Sequence, residues 1–489
     1  MKKLFFKLIF FTIFISLFPV FVLADDEILE ELIPINTMSE EVSLSTSGEP
    51  TINARHAIIY DRNSQKAIYS KKTLKRCKMA STTKIMTAIV VIENTNLTDL
   101  VEVSSKASST GGSRLGLSKH DKISVEHLLY GLMLKSGNDA AVALAENTGG
   151  NVEKFASMMN SKAKVLGLLN TNFVTPHGLD NENHYTTALD LAILTDYALK
   201  NDIFSKIVKT KNYTVLINNN PKNISNTNEL LGNFEGIYGV KTGFTNGANR
   251  CLVTACKRGD LDFICIVLGC DTKKDRTKDT IKLLSYAFNN FTLINLKDIA
   301  INKFNAWKIS HQNSFFINKG INQTLNLYLD ENAFPFSNIA LENSKKEKID
   351  YEISFSSYYN APLEKNTQVG VLNLYVDNQK YYSIKILNSN EIMNKTTYDY
   401  ISYILKNYFN FFTTKKLYLF NIELFLIYSI FIFCKYFLFY KFWKFFWCTF
   451  SKSKFGYYKC IFSWNINIKI CICFNNSIQF QINNLCLTF

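Results

Sequence analysis

The hydrophobic period of this chain changes twice along its first part, and that restricts the fold more than any single motif. Ala57-Ile58-Ile59-Tyr60 and Lys66-Ala67-Ile68-Tyr69 read as short strands on either side of the turn Asp61-Arg62-Asn63-Ser64, a hairpin signal. From Ser81 the spacing becomes helical, with Ile85, Met86, Ala88, Ile89 and Ile92 three and four residues apart. Ile123–Leu134, Asp139–Asn147, Val152–Leu168 and Leu189–Leu199 are expected as further helices, the last as a wall beneath a cleft. After Gly236 the period falls to two. Leu252–Cys256 and Phe263–Leu268 then predict adjacent antiparallel strands joined across Arg258-Gly259-Asp260, and Thr277–Phe291 a helix covering the sheet. Hairpin, helical block, strands and closing helix make an α+β layered domain.

A chain of 489 residues has room for two or three such cores. Leu325–Leu329, Tyr351–Phe355, Val369–Val376 and Tyr381–Leu387 alternate like half-buried strands and predict a small β-rich module with no catalytic constellation. The division expected is 1–24 leader, 25–53 linker, 54–302 catalytic domain, 303–392 β-rich domain, 393–412 amphipathic helix and 413–489 an atypical tail. Met1-Lys2-Lys3, the apolar run Leu4–Leu23 and Val22-Leu23-Ala24 fit an export signal cleaved after Ala24; an uncleaved membrane anchor is the alternative. Either way the chain is exported. Beyond Thr413 there is no Ala, Val, Asp, Pro, Arg or Met, yet six of the eleven Cys and three of the four Trp lie there. Either Leu424–Tyr440 is a membrane segment, or the tail is out-of-frame translation.

The net charge of +14 suits an anionic cell wall or anionic lipid. No nucleic-acid motif accompanies it, so nucleic acid is not an expected partner. The six His include no H-E-x-x-H, and neither metal nor organic cofactor is expected. Cys77, Cys251, Cys256, Cys265 and Cys270 form no C-x-x-C pair and read as small buried residues rather than a disulfide framework.

Three short patterns carry the chemistry. In Ser81-Thr82-Thr83-Lys84 the first and last residues share a helix face. Serine attacks a carbonyl only when a neighbour takes its proton, and Lys84 can do so only when neutral, a form that burial and the second cation Lys241 favour. A helix start at Ser81 also presents backbone N–H groups to an oxyanion. Ser136-Gly137-Asn138 follows an apolar helix; its hydroxyl can relay a proton to a leaving amine and its carboxamide can orient substrate and Lys84. Lys241-Thr242-Gly243 sits in a strand, where Gly243 permits close approach of a ligand backbone and the edge can pair with an extended peptide. Alone, each pattern is as well explained by a turn, a surface strand or chance, as Ser161-Lys162-Ala163-Lys164 illustrates.

Together and in this order, S-x-x-K, S-x-N and K-T-G mark penicillin-interacting serine enzymes. MASTTKIMTA, LLYGLMLKSGNDAAVALAE, PHGLD with HYTTALDLA, and GVKTGFTNGANRCLVTACKRG extend the match, so that Ala54–Tyr408 resembles the serine-type D-alanyl-D-alanine carboxypeptidases, the low-molecular-mass penicillin-binding proteins. The resemblance implies a β-lactamase/DD-peptidase-like transpeptidase fold followed by a β-rich domain, and removal of the terminal D-Ala from peptidoglycan stem peptides ending D-Ala-D-Ala. It implies Ser81 as acylated nucleophile, Lys84 as base, Ser136 and Asn138 as the second element, and Lys241 and Thr242 as the third. The Ser81 and Phe244 N–H groups would form the oxyanion hole. Arg276, in a loop beyond the strands after K-T-G, would bind the substrate's terminal carboxylate. His177 and Asp180 are expected as structural supports. β-Lactams are implied as covalent inhibitors. The helix Thr396–Phe412, with Tyr400, Ile401, Ile404, Tyr408 and Phe411 on one stripe, is implied as a membrane-surface anchor.

The competing functions are set by single features. A class A β-lactamase needs a Glu downstream of the second motif, and Lys154–Asp180 contains none, so penicillin is expected to inhibit. A transpeptidase is disfavoured by the lack of a large N-terminal domain. A non-catalytic wall-binding protein would not require all three patterns intact.

Overall fold

The computed structural model describes residues 48–311, 314–334 and 336–414, together with strand residues between 451 and 488. The segments assigned to the leader, to most of the linker and to Leu424–Tyr440 lie outside the described residues. The chain divides into two compact units, Met1–Asn394 and Lys395–Phe489.

In the first unit the hairpin is present as β1 (His56–Asp61) and β2 (Lys66–Lys71). A 3-10 turn, Ala80–Thr83, leads into α1 (Lys84–Asn94). The short strands β3 (Leu100–Glu102) and β4 (Lys122–Ser124) pair with each other, followed by α2 (Val125–Leu134). The expected helix from Ile123 therefore starts two residues later, because the Ser124 hydroxyl accepts the His127 N–H and caps it. Next come α3 (Asn138–Gly149), α4 (Val152–Val165), α5 (Ala188–Leu199) and α6 (Asp202–Lys209), then the hairpin β5 (Asn212–Ile217) and β6 (Asn220–Ser225). Three long strands follow: β7 (Ile237–Thr245), β8 (Asn249–Arg258) and β9 (Leu261–Cys270).

The central sheet is antiparallel with order β2-β1-β9-β8-β7, which places the K-T-G strand on its edge. Its two faces are buried against different partners. Ile58, Tyr60, Val253, Ala255, Ile264 and Ile266 pack into the helical block with α1 to α6. Ile59, Leu252, Cys256, Cys265 and Val267 pack against Ile281, Leu284 and Ala287 of α7 (Lys273–Asn290). Burial on both faces explains the nearly continuous apolar runs of β8 and β9. Helix α5 lies against β1, β9 and α1. Cys77, Cys251, Cys256, Cys265 and Cys270 are all free; the last four are buried, as read from the sequence, whereas Cys77 is only partly buried, and burial pushes the Cys251 thiol up to about 11.

Strand β10 (Phe291–Asn295) leads into α8 (Leu296–His311), which runs through the boundary expected at residue 303. Its Leu296, Ala300, Phe304 and Trp307 enter the second core. That module contains β11 (Phe316–Asn318), β12 (Leu327–Leu329), β13 (Asn338–Glu342), β14 (Ile349–Phe355), β15 (Tyr358–Asn360), β16 (Gln368–Val376) and β17 (Gln379–Asn388). Its main sheet has the order β12-β17-β16-β14. The fully buried Asp61 carboxylate ties module to catalytic layer, accepting the Ser64 hydroxyl at 2.5 Å and the Ala340 N–H at 2.9 Å.

The second unit begins with α9 (Thr397–Thr414), whose first turn is closed by Thr396 and Asp399. Tyr400, Ile401, Ile404 and Tyr408 are exposed. Farther on, five short strands, β18 (Ser451–Lys452), β19 (Tyr458–Ser463), β20 (Lys469–Phe474), β21 (Ile478–Ile482) and β22 (Leu485–Thr488), pair in chain order as an antiparallel meander. No helix among the described residues is long and apolar enough to cross a membrane.

Candidate active site

Ser81 stands in the 3-10 turn rather than in the α-helix proper. In that geometry residues i and i+3 eclipse, which sets the Ser81 hydroxyl directly over Lys84. Lys84 is fully buried, and its Nζ lies 2.8 Å from Ser81 Oγ, 2.7 Å from Asn138 Oδ1, 3.1 Å from the His177 carbonyl and 3.4 Å from Ser136 Oγ. An ammonium has three protons and no lone pair. A neutral amine has a lone pair that can accept a hydroxyl proton while its N–H groups hold the amide and carbonyl oxygens. The cluster thus joins two hydroxyls through one nitrogen, a geometry suited to moving a proton from one to the other.

Asn138 is engaged at both ends, since its Nδ2 also donates to the Gly111 carbonyl at 2.7 Å. The next residue, Asp139, is fully buried and accepts the N–H groups of Leu115, Gly116 and Leu117 at 2.8–2.9 Å. These successive side chains fix the loop whose Gly112 and Ser113 line the cavity beside Ser81.

The K-T-G strand meets the nucleophile turn on the other side. Lys241 and Thr242 are buried, and Lys241 Nζ donates to the Thr242 carbonyl at 3.0 Å. A Cβ on Gly243 would stand 3.2 Å from both Ala80 Cβ and Ser81 N. The close neighbour of Gly243 is the protein's own serine turn, not only a ligand as expected. Phe244 lines the cavity, with the Arg250 guanidinium 3.8 Å over its ring. The Thr242 hydroxyl is 2.7 Å from that of Thr227.

Arg276 departs from expectation. It lies in the first turn of α7, not in a loop, because Thr272 caps the helix with Asp275. Its Nη2 lies 2.6 and 2.8 Å from the two Glu229 oxygens, and it is not among the residues lining the cavity. Burial alone would raise the Glu229 carboxyl, but Arg276 and the Thr277 hydroxyl hold it below the ordinary range.

The opposite wall is the loop His177–Asp180, all four residues of which line the cavity. His177 Nδ1 accepts the Leu179 N–H at 3.2 Å, so the neutral ring carries its proton on Nε2. Burial, reinforced by the Lys84 charge, pushes its pKa down to about 3. His184, which sequence reasoning did not single out, lies behind the serine turn. Its Nδ1 accepts the Val174 N–H, its Nε2 is 2.8 Å from Thr83 Oγ1, and burial pushes it down to about 4. Thr83 in turn donates to the Ala80 carbonyl. Asp180 accepts Thr245 Oγ1 and the Gly247 N–H, both at 2.8 Å, joining this wall to the end of β7.

The sequence profile described as D-alanyl-D-alanine carboxypeptidase matches residues 43–272, and that described as penicillin-binding protein 5, C-terminal domain, matches 316–394. The chain is 33% identical over 332 residues to D-alanyl-D-alanine carboxypeptidase DacF of Bacillus subtilis, covering 67% of this chain and 82% of the relative. It is 32% identical over 343 residues to D-alanyl-D-alanine carboxypeptidase DacA of Escherichia coli, covering 68% and 81%. Among solved structures it is similar to penicillin binding protein 5 from Haemophilus influenzae, with TM-score 0.57 and 28% identity over 71% of this chain and all of that one. With the profile, relatives matched over about four fifths of their length and the shared architecture in agreement, this chain belongs to the D-alanyl-D-alanine carboxypeptidases of the low-molecular-mass penicillin-binding protein family.

Proposed function

We propose that this chain removes the terminal D-Ala from peptidoglycan pentapeptide stems through an acyl-enzyme on Ser81. The observation that carries the reading is the buried Lys84 nitrogen within hydrogen-bonding distance of both Ser81 and Ser136. Ser81 Oγ attacks the penultimate D-Ala carbonyl as its proton passes to Lys84. The new C–O bond forms, and the oxyanion is held by the Ser81 and Phe244 N–H groups. The C–N bond then breaks as the proton passes through Ser136 to the departing amine. Water cleaves the ester, releasing the tetrapeptide and restoring the serine. Asn138 holds Lys84, Lys241 supplies positive charge, Gly243 lets the strand approach, and Thr242 with Arg276 receives the terminal carboxylate, for which the guanidinium must turn from Glu229 toward the cavity.

β-Lactams present the same carbonyl and acylate the same oxygen. Incubation with benzylpenicillin is expected to add one penicilloyl group to the wild type and none to Ser81→Ala; an adduct on that variant refutes the assignment. The charge of +14, the amino-terminal signal pattern and the exposed stripe of α9 support an exported enzyme on the outer face of the cytoplasmic membrane, held to the lipid surface through α9.

A further inference from the structure

The segment Asn226–Glu229, between β6 and β7, touches both groups assigned to the substrate's terminal carboxylate. Thr227 Oγ1 lies 2.7 Å from Thr242 Oγ1, and Glu229 grips Arg276. The segment is pinned from several sides. The Thr227 N–H donates to the Leu134 carbonyl at 3.1 Å, at the end of α2 just before Ser136. Asn226 Nδ2 donates to the Thr210 carbonyl at 3.1 Å, and its Oδ1 accepts the Asn228 N–H. Asn228, buried, donates Nδ2 to the Gly239 carbonyl of β7 at 3.2 Å. Thr227 is therefore held against the K-T-G strand by contacts that do not involve its own hydroxyl.

We propose that Thr227 is a positioning residue that aims the Thr242 hydroxyl at the substrate's terminal carboxylate. This rests on the reading above, in which the carboxylate is received at Thr242. Each threonine hydroxyl has one proton and can accept two hydrogen bonds. In the free enzyme either can donate to the other. A carboxylate only accepts, so Thr242 must give it its proton, and the Thr242 oxygen then accepts from Thr227. In that arrangement the two hydrogen bonds run in the same direction, from Thr227 to Thr242 to the carboxylate, and aligned hydrogen bonds strengthen one another. Valine at 227 keeps the shape but has no proton to give, whereas serine keeps the donor.

The test uses the full-length protein and two probes: a thioester depsipeptide ending in a free carboxylate, and the same thioester with that carboxyl capped as an amide. The quantity read is the ratio of their kcat/KM values. Thr227→Val is expected to lower the ratio about three- to tenfold, the size of one lost hydrogen bond between neutral groups. The loss should appear in the carboxylate probe with the pH profile unmoved, and Thr227→Ser should restore the ratio to within about twofold. A Thr227→Val ratio equal to wild type overturns the proposal, as does a fall that serine does not rescue. Thr242→Val separates the two readings. If it collapses the ratio while Thr227→Val does not, only the role of Thr227 fails. If it leaves the ratio unchanged, the carboxylate is not received at Thr242 and both fall.

Discussion

Arg276, in the first turn of α7, and Glu229, between β6 and β7, form a close pair, with one guanidinium nitrogen 2.6 and 2.8 Å from the two carboxylate oxygens. The Arg276 side chain is 5% exposed, the Glu229 side chain 18%, and Arg276 Nε is buried without a partner among the described residues. A buried charge so placed depends on its counter-ion, and removing one member leaves the other unpaired.

Glu229→Ala is therefore expected to destabilise the fold by about 3 kcal/mol. The double variant Glu229→Ala/Arg276→Met removes the orphaned charge and should recover a good part of that loss. Urea unfolding of the two singles and the double gives the coupling. Additive losses would mean that the pair contributes nothing as a pair.

The Lys84 nitrogen is the one atom common to both proposed proton transfers. Lys84→Met should slow acylation by benzylpenicillin by about two to four orders of magnitude, and Ser136→Ala by a smaller factor, since removing a positioned acid–base group costs in that range. Stopped-flow acylation rates on the two variants decide it. A Lys84→Met enzyme that acylates at the wild-type rate would remove the lysine from the mechanism.

His177 and His184 are held neutral by burial, with pKa values of about 3 and 4 against about 6.5 in an unfolded chain. The unfolded chain therefore binds protons that the folded one does not as pH falls below 6.5. Their contribution to stability is complete above about pH 7 and is lost as pH falls towards 4 and then 3. Each is worth about 1.4 kcal/mol per pH unit at most in that window. Unfolding midpoints between pH 7 and pH 5 should fall steeply for the wild type and less so for His184→Gln. Coincident slopes would show that His184 is not the group being protonated.

The stripe on α9 leaves Tyr400, Ile401, Ile404 and Tyr408 between 39% and 52% exposed. Ile401→Asp together with Ile404→Asp should reduce sedimentation of the protein with anionic phospholipid vesicles several-fold, because both charges enter the face that would be buried. Undiminished sedimentation would place the lipid contact elsewhere.

What could be read from the sequence divides by range. Ser81 with Lys84, Ser136 with Asn138, and Lys241 with Thr242 are local patterns, so spacing alone puts the members of each pair close together. The period change after Gly236 likewise showed the strands β8 and β9, though their ends run two or three residues farther. Thr227, Glu229, Asp139 and His184 carry no such signal, because each acts on a residue at least fifteen positions away. Arg276 was misplaced for a different reason. Thr272-Lys273-Lys274-Asp275 is a capping pattern that announces a helix, but the charges around it also suit an exposed loop. The five-strand meander after Ser451 does carry alternation, at Trp464–Ile470 and Ile478–Ile482, but it sits in a tail whose composition fits no ordinary folded domain.

Gly178 and Gly243 approach the serine turn from opposite sides, and their alanine variants should separate two kinds of damage. Gly178 has φ +87, and an added Cβ would stand 1.9 Å from the Ala80 carbonyl oxygen, a backbone atom that cannot yield without moving the turn. Gly178→Ala thus combines a left-handed backbone strain of about 1–2 kcal/mol with a direct clash. It should lower the melting temperature as well as acylation. Gly243 has no such strain, and its Cβ would meet Ala80 Cβ and Ser81 N at 3.2 Å, a contact relieved by a few tenths of an ångström. That small shift falls on the gap between the Ser81 and Phe244 N–H groups, where displacement weakens oxyanion stabilisation more than packing. Gly243→Ala should therefore keep a melting temperature close to wild type while losing acylation about tenfold or more. Equal losses of stability in the two variants would show that the serine turn and the K-T-G strand are merely packed together, with no dependence of catalysis on their separation.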